Sequence, residues 1–313
     1  MPINVAAGLP AISELKKENI FVMSDLRAAH QDIRPLNILI LNLMPRKDVA
    51  ETQLLRLLSN TPLQINVDFL YMETHETKNT AKEHLESFYH GFLEIEDKFY
   101  DGLIITGAPV ETLDFKEVDY WEELIQVFEW RKTHVYSTLY ICWGAQASLY
   151  HHYGINKTLR ASKLSGIYRQ KIEPAASKLE LFRGFDDEFF SPHSRHTEVL
   201  EADVKAHSQL ETWVKGEESG LSVIGSKDLR EIYIFGHLEY DRDTLLFEYQ
   251  RDLKLGEKPL VPAHYFVDDN PKNLPRFNWN MAASLFFTNW LNYAVYQNTF
   301  YDLSELNQWN PHL

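Results

Sequence analysis

The sequence predicts an α/β fold, a mostly parallel sheet with helices on both faces. Two observations carry this. Short apolar runs of strand length alternate with amphipathic segments of helical length, and no internal repeat or low-complexity tract interrupts them. The chain has 313 residues, 44% of them apolar, and an α/β chain of that size buries about 75% of its unfolded surface without staples.

The elements follow in order. Residues 1–35 are mixed, with an apolar patch Ile20-Phe21-Val22-Met23, and read as an arm over the core. Residues 36–43 (LNILILNL) form a buried strand by length and branched content. Over 48–60, Leu54, Leu55, Leu57 and Leu58 suit one helix face, with Asp48 as N-cap. A second strand spans 64–70, a helix 78–93, and a third strand 102–106, which ends at Gly107. A strong helix pattern covers 116–133, a fourth strand 135–141, and a helix follows at once over 143–153. Residues 160–220 hold Gly, Pro and clustered charge, and no element is assigned there. Two paired strands (221–224 and 231–235) and two closing helices (241–255 and 281–297) complete the chain. The aromatic run from Tyr293 to Tyr301 reads as core. No linker marks a boundary, so 1–313 is read as one catalytic domain: arm 1–35, core about 36–300, tail 301–313.

Charge and cysteine usage narrow the function. With 45 acidic and 31 basic residues the net charge is −14, which argues against a nucleic-acid binder or docking on an anionic membrane. Cys142 is the only cysteine, so an intrachain disulfide and a multi-thiolate metal site are excluded, as fits a reducing cytoplasm. Met1-Pro2-Ile3-Asn4 lacks the basic-then-apolar order of a signal peptide. The longest apolar stretch, 36–44, contains two Asn and is about half a membrane span.

In open α/β sheets, sites lie beyond the carboxyl ends of strands, and three segments qualify. In Ile141-Cys142-Trp143-Gly144-Ala145-Gln146 a buried strand gives way to a helix with no room for a loop. This is the geometry of a nucleophile elbow. The helix N-terminus favours a thiolate, and the Trp143 amide is a natural oxyanion donor. Against that stands a buried structural cysteine, at roughly even odds. In Gly236-His237-Leu238-Glu239-Tyr240 an extended backbone puts His237 and Glu239 on one side. A base and its orienting carboxylate would complete a nucleophilic triad. H-x-E alone is weak and gains weight only beside the elbow cysteine. Thr106-Gly107-Ala108-Pro109-Val110-Glu111 would line the same pocket or be a plain turn. His151-His152 is expected to face solvent, and His193-Ser194-Arg195-His196 has about one chance in ten of holding a metal. The reading is no metal and no cofactor.

The elbow cysteine with H-x-E 95 residues later (237 − 142) resembles class I glutamine amidotransferases on a flavodoxin-like sheet. Longer blocks resemble the homoserine O-acyltransferase family of methionine biosynthesis, of the amidotransferase-like type. They include Met1-Pro2-Ile3-Asn4-Val5, Gln31-Asp32-Ile33-Arg34-Pro35-Leu36, Asn42-Leu43-Met44-Pro45, the run from Leu54 to Gln64, Thr106 to Glu111, Ile141 to Gln146, and Pro192 to Glu198. The resemblance implies Cys142 as acyl carrier, His237 as general base and Glu239 as third member. It implies Lys163 and Ser194 as substrate contacts and Arg251 as the group that grips the homoserine carboxylate. Glu111 matches the donor selector, Gly in succinyl users and Glu in acetyl users. It therefore implies acetyl-CoA as co-substrate, L-homoserine as acceptor and O-acetyl-L-homoserine as product. No nucleic-acid or membrane partner is implied, and a homodimer is admitted. Two departures stand out: Leu238 where the family has Pro, and Trp279-Asn280-Met281-Ala282 where it is more basic. Arg46 and Lys47 are weak candidates for meeting the CoA phosphates. The rival readings are a succinyl-CoA user, a glutaminase or peptidase with water or ammonia as acceptor, and a non-catalytic scaffold.

Overall fold

The structure is a computed structural model and describes residues 3–4, 8–17, 22–23, 34–75 and 80–308. Among the described residues twelve strands join one sheet. In chain order they are β1 (Ile3–Asn4), β2 (Val22–Met23), β3 (Leu36–Leu41), β4 (Ile65–Leu70), β5 (Tyr89–His90), β6 (Tyr100–Ile105), β7 (Val135–Ile141), β8 (Thr158–Ile172), β9 (Glu188–Glu198), β10 (Leu210–Gly216), β11 (Gly220–Ser226) and β12 (Glu231–Ile234). The order across the sheet is β2-β1-β4-β3-β6-β7-β12-β11-β10-β8-β9, with β5 also on β4. Pairings from β2 to β12 are parallel, and those from β12 out to β9 are antiparallel.

The central strands are apolar because both of their faces are covered. Every residue of β6 and β7 is buried. Side chains alternate faces along a strand, and the two layers of core separate accordingly. Ile38, Ile40, Leu139 and Ile141 pack with Leu54, Leu58, Phe286 and Trp290 on one face. Leu39, Leu41 and Tyr140 pack with Leu124, Phe128 and Trp143 on the other. Helices Lys47–Leu58 and Asn280–Asn289 thus cover the first face, and Trp121–His134 and Trp143–Tyr153 the second.

Several expectations need correction. Asp48 is not an N-cap: the helix begins at Lys47, its cap residue is Arg46, and Asp48 pairs with Arg46 from inside the first turn. The helix expected over 78–93 shrinks to Lys82–Phe88; residues 78 and 79 lie outside the described residues, as do Ile20 and Phe21 of the apolar patch. It stops because Tyr89 leaves to pair with Phe69 in the sheet and its hydroxyl donates to the buried Glu51 at 2.7 Å. The helix expected over 281–297 becomes π-helical from Trp290 to Tyr296. The aromatic run is not core: Tyr296 and Tyr301 are exposed, while Leu291, Ala294 and Val295 are buried. A tyrosine hydroxyl needs a partner when buried, and Tyr293 finds one at the surface from Arg183, at 2.8 Å.

Residues 160–220, unassigned from sequence, hold the long antiparallel pair β8 and β9. Gly166 sits in β8 at φ +150°, and a Cβ there would lie 2.3 Å from the Ala263 carbonyl oxygen. Ala263 instead docks on β8 through two backbone hydrogen bonds of 2.8 and 2.9 Å. Next to that contact, Ser165 and Pro262 help line a cavity of about 250 Å³ together with Lys163, His196, Asp252, Lys258 and Leu260. Among the described residues no helix is long and apolar enough to cross a membrane.

Candidate active site

Cys142 stands between the end of β7 and helix Trp143–Tyr153 at φ 50°, ψ −112°. Few non-glycine residues adopt positive φ, and holding one there costs about 1–3 kcal/mol, so the surroundings must enforce it. Two contacts do so. The Cys142 amide extends the β12 ladder by donating to the Ile234 carbonyl at 2.7 Å, and its own carbonyl accepts from Gln146 N–H at 3.2 Å. Gly144 is required where the helix meets β6, because a Cβ would lie 2.7 Å from the Thr106 carbonyl oxygen. The Trp143 amide is the first of the helix and has no partner four residues back.

His237 follows β12, its amide donating to the Pro192 carbonyl at 2.8 Å. Its Nδ1 lies 2.6 Å from Glu239 Oε1, so Nδ1 carries the proton and the other nitrogen is left for the Cys142 sulfur, to which the ring is hydrogen-bonded. Burial disfavours the charged ring, yet Glu239 and Cys142 outweigh it and hold the imidazole well above its ordinary value. The Tyr240 ring stacks on the imidazole at 4.1 Å and 17°.

The Thr106–Glu111 segment ends in a turn at Val110-Glu111 and reaches the thiol and imidazole through Gly107. A Cβ on Gly107 would lie 3.3 Å from Cys142 Cβ and 3.5 Å from His237 Cε1. Gly107→Ala is therefore expected to press Cys142 aside by a few tenths of an ångström while only touching the imidazole. A 1 Å misplacement costs about 10²-fold, so kcat/KM should fall by roughly two- to tenfold while the melting temperature barely moves. Steady-state kinetics with a thermal melt checks this.

A second group of side chains adjoins the first across Tyr240. The Tyr240 hydroxyl donates to Glu248 Oε1 at 2.9 Å, Ser194 Oγ donates to Glu248 Oε2, and Lys163 Nζ lies 3.5 Å from Glu248 and 3.4 Å from Asp252. Lys163 and Ser194 thus come together at Glu248. Glu248 and Tyr240 are additional. Glu248 lies three residues before Arg251 on helix Thr244–Lys254, a spacing that shares one face and was readable as a signal. Arg251 lies at the rim, its side chain 57% exposed and paired with Asp252 at 2.6 Å.

Glu111 does not point idly to solvent. Its Oε2 accepts from His196 N–H at 2.9 Å and lies 3.2 Å from Thr197 Oγ1. Thr197 Oγ1 in turn lies 2.8 Å from Gln146 Oε1, in the first turn behind Cys142.

Other candidates fall away. Lys47 is buried, donates to the Asn42 carbonyl, and has its ammonium pushed down to about 8 mainly by burial, so it cannot meet a CoA phosphate. Arg46 is engaged with Asp48. His151-His152 does not face solvent as a pair: His151 meets Glu129 at 2.7 Å, and burial, aided by the Arg131 charge, takes His152 down to about 2. These two with Glu129 form the one group of potential metal ligands among the described residues, and Lys132 already occupies both Glu129 oxygens at 2.7 Å. His193 is fully buried, 3.2 Å from Gln170 Nε2.

A thiol, an imidazole and a carboxylate in hydrogen-bonded series, with free amides at a helix N-terminus, can carry an acyl group covalently. Comparison with known proteins agrees with the fold and adds the family. Solved glutamine amidotransferases from Thermotoga maritima and Methylobacillus flagellatus share the fold. The first covers 84% of this chain and 100% of its own at TM-score 0.52 and 12% identity; the second covers 87% and 99% at 0.51 and 12%. Proteins named homoserine O-acetyltransferase are 60% identical over 308 residues in Streptococcus mutans (98% of each chain) and 56% over 308 in Lactococcus lactis (98% of this chain, 95% of that one). The profile described as Homoserine O-succinyltransferase matches residues 2–301. The family's description and the relatives' names disagree only on the acyl donor, and the chain belongs to this homoserine O-succinyltransferase family.

Proposed function

We propose that this chain transfers the acetyl group of acetyl-CoA to the hydroxyl of L-homoserine through an acyl-thioester on Cys142. The observation that carries the reading is the hydrogen-bonded series Cys142–His237–Glu239 on the strained turn. In the first step the Cys142 sulfur attacks the thioester carbonyl, the C–S bond to CoA breaks, and the His237 imidazolium supplies the proton that leaves with CoA. The Trp143 amide faces the oxyanion. In the second step the now neutral His237 takes and keeps the homoserine hydroxyl proton, the oxygen attacks the acyl-enzyme, and the C–S bond to Cys142 breaks, releasing the ester and restoring the thiolate beside the imidazolium. Atoms and protons balance over the cycle without a cofactor. Glu239 keeps the imidazole oriented and favours its charged form.

The acceptor's two charges suit the second group of side chains. The Glu248 carboxylate attracts the α-ammonium, and the Arg251 guanidinium offers the α-carboxylate parallel N–H donors that a lysine could not reproduce. Lys163 and Ser194 hold Glu248 in place and reach the same substrate. Substrate and co-substrate are the soluble partners this reading needs, and it places the enzyme in the cytoplasm, where acyl-CoA is made.

A second reading, succinyl-CoA as donor, draws on the family's description. The position of Glu111 favours acetyl. Its carboxylate is tied to β9 one hydrogen-bonded step from the helix of Cys142. Two carboxylates about 4 Å apart repel by about 1 kcal/mol in water and about 4 kcal/mol at an effective dielectric of 20, roughly fivefold to a thousandfold. Wild type is expected to prefer acetyl-CoA in kcat/KM by at least that lower factor. Glu111→Gly should gain succinyl transfer and lose the preference. A wild type that prefers succinyl-CoA would sink the acetyl assignment, whatever the variant did.

A further inference from the structure

We infer that His196 N–H and the Thr197 hydroxyl form a carboxylate-binding site that Glu111 fills from within the chain, and that the same site receives the terminal carboxylate of a dicarboxylic acyl group when position 111 has no side chain. The inference rests on the reading of Glu111 as donor selector and explains how selection works there: the glutamate occupies the seat that a longer donor's carboxylate would take, as well as crowding it.

The site is built. Thr197 is 2% exposed, and its hydroxyl has one proton but two oxygen neighbours, Glu111 Oε2 and Gln146 Oε1. One hydroxyl cannot donate to both. Gln146 Nε2, meanwhile, is buried with no acceptor. Turning the Gln146 amide about its axis removes the conflict: its NH2 then donates to Thr197 Oγ1, freeing the Thr197 proton for the carboxylate. The order of donation becomes Gln146 to Thr197 to Glu111, with His196 N–H as a second donor to the same oxygen. Both donors therefore point outward at a carboxylate and not at each other.

The backing is rigid and positively charged. Arg195, between the Ser194 contact and this pair, is fully buried. Its Nη1 donates to the Thr197 carbonyl at 2.7 Å and its Nη2 to the Ser219 carbonyl. Its cation, though weakened chiefly by burial, feels the charges of Cys142, Glu198 and Glu111. A free carboxylate arriving in place of Glu111 would meet two hydrogen-bond donors and a buried guanidinium behind them. Gln146, whose backbone N–H donates to the Cys142 carbonyl at 3.2 Å, links the seat to the turn that carries the sulfur.

The test is the ratio of kcat/KM for succinyl-CoA to that for acetyl-CoA in four proteins: wild type, E111G, E111G/T197V and E111G/T197S. A hydrogen bond to a charged group is worth about ten- to a hundredfold. The E111G/T197V ratio should fall by that factor from the E111G ratio, and E111G/T197S, which keeps the hydroxyl, should retain it. A second measurement stands if the valine variant fails to fold: formate, a bare carboxylate, should inhibit succinyl transfer by E111G competitively and leave acetyl transfer by wild type untouched. Should E111G gain succinyl transfer with the ratio unchanged by T197V, or by formate, space alone explains the gain and the inference is overturned. Should E111G show no change in ratio, the donor reading of Glu111 itself fails and the inference with it.

Discussion

Cys142→Ala is expected to abolish acyl transfer, with a loss on the order of 10⁶-fold in kcat, as for removal of other covalent nucleophiles. The size follows from the architecture. Chain strain, the Ile234 ladder bond and the Gly144 contact all aim one sulfur at the mouth of the sheet. No other thiol exists in the chain to stand in. Cys142→Ser should be nearly as poor, because a hydroxyl is a far weaker nucleophile at neutral pH than a thiol. Circular dichroism should be unchanged in both. A Cys142→Ala protein that turned over at even a hundredth of the wild-type rate would remove the covalent route.

His237→Ala is expected to cost at least the ~10²–10⁴-fold of a lost general base, in both half-reactions. The base has a further signature in pH. Wild-type His237 is held protonated well above pH 6.5, despite its burial, by Glu239 and Cys142. Removing the Glu239 charge as Glu239→Gln takes away a contribution that raises the value, so the ring should lose its proton at lower pH. NMR titration of the imidazole, with the limbs of the kcat/KM profile moving the same way, reads this directly. A Glu239→Gln ring that titrated at higher pH than wild type would reverse the assigned electrostatics. If His237→Ala stayed active while Glu239→Ala did not, the two roles would have to be exchanged or abandoned.

The parts legible in sequence were those whose partners lie within a few residues. The elbow was readable because a buried strand, Cys142, small Gly144 and a helix follow without a gap. His237 and Glu239 were readable as close neighbours in the chain, but the expected extended backbone is instead a turn closed by Tyr240 N–H donating to the His237 carbonyl at 3.2 Å, and that turn brings the carboxylate to the ring. The central strands were readable because burial on both faces leaves short apolar stretches, Leu103-Ile104-Ile105 and Leu139-Tyr140-Ile141, at their carboxyl ends. Strands β8 and β9 were not, since much of β8 is exposed, β9 buries polar residues such as Ser191, His193, Arg195 and Thr197, and their pairing is set by register with each other and by Ala263 crossing Gly166. The cluster around Glu248 joins Ser194 from 54 residues away and Lys163 from 85. The tie between Glu111 and Thr197 spans 86. Contacts at such separations leave no periodic trace. The surface position of Tyr296 and Tyr301 was misread for a related reason, because helical spacing cannot tell a buried aromatic face from a solvated one carrying hydroxyls.

The central claim is that an acyl group passes through Cys142, and intact-protein mass spectrometry after mixing with acetyl-CoA alone tests it most directly. The account predicts one added acetyl group per chain, mapped by peptide analysis to Cys142, absent in Cys142→Ala and discharged on adding L-homoserine with O-acetyl-L-homoserine formed in equal amount. Rapid-quench samples that produce O-acetyl-L-homoserine while Cys142 never carries an acetyl group would contradict it.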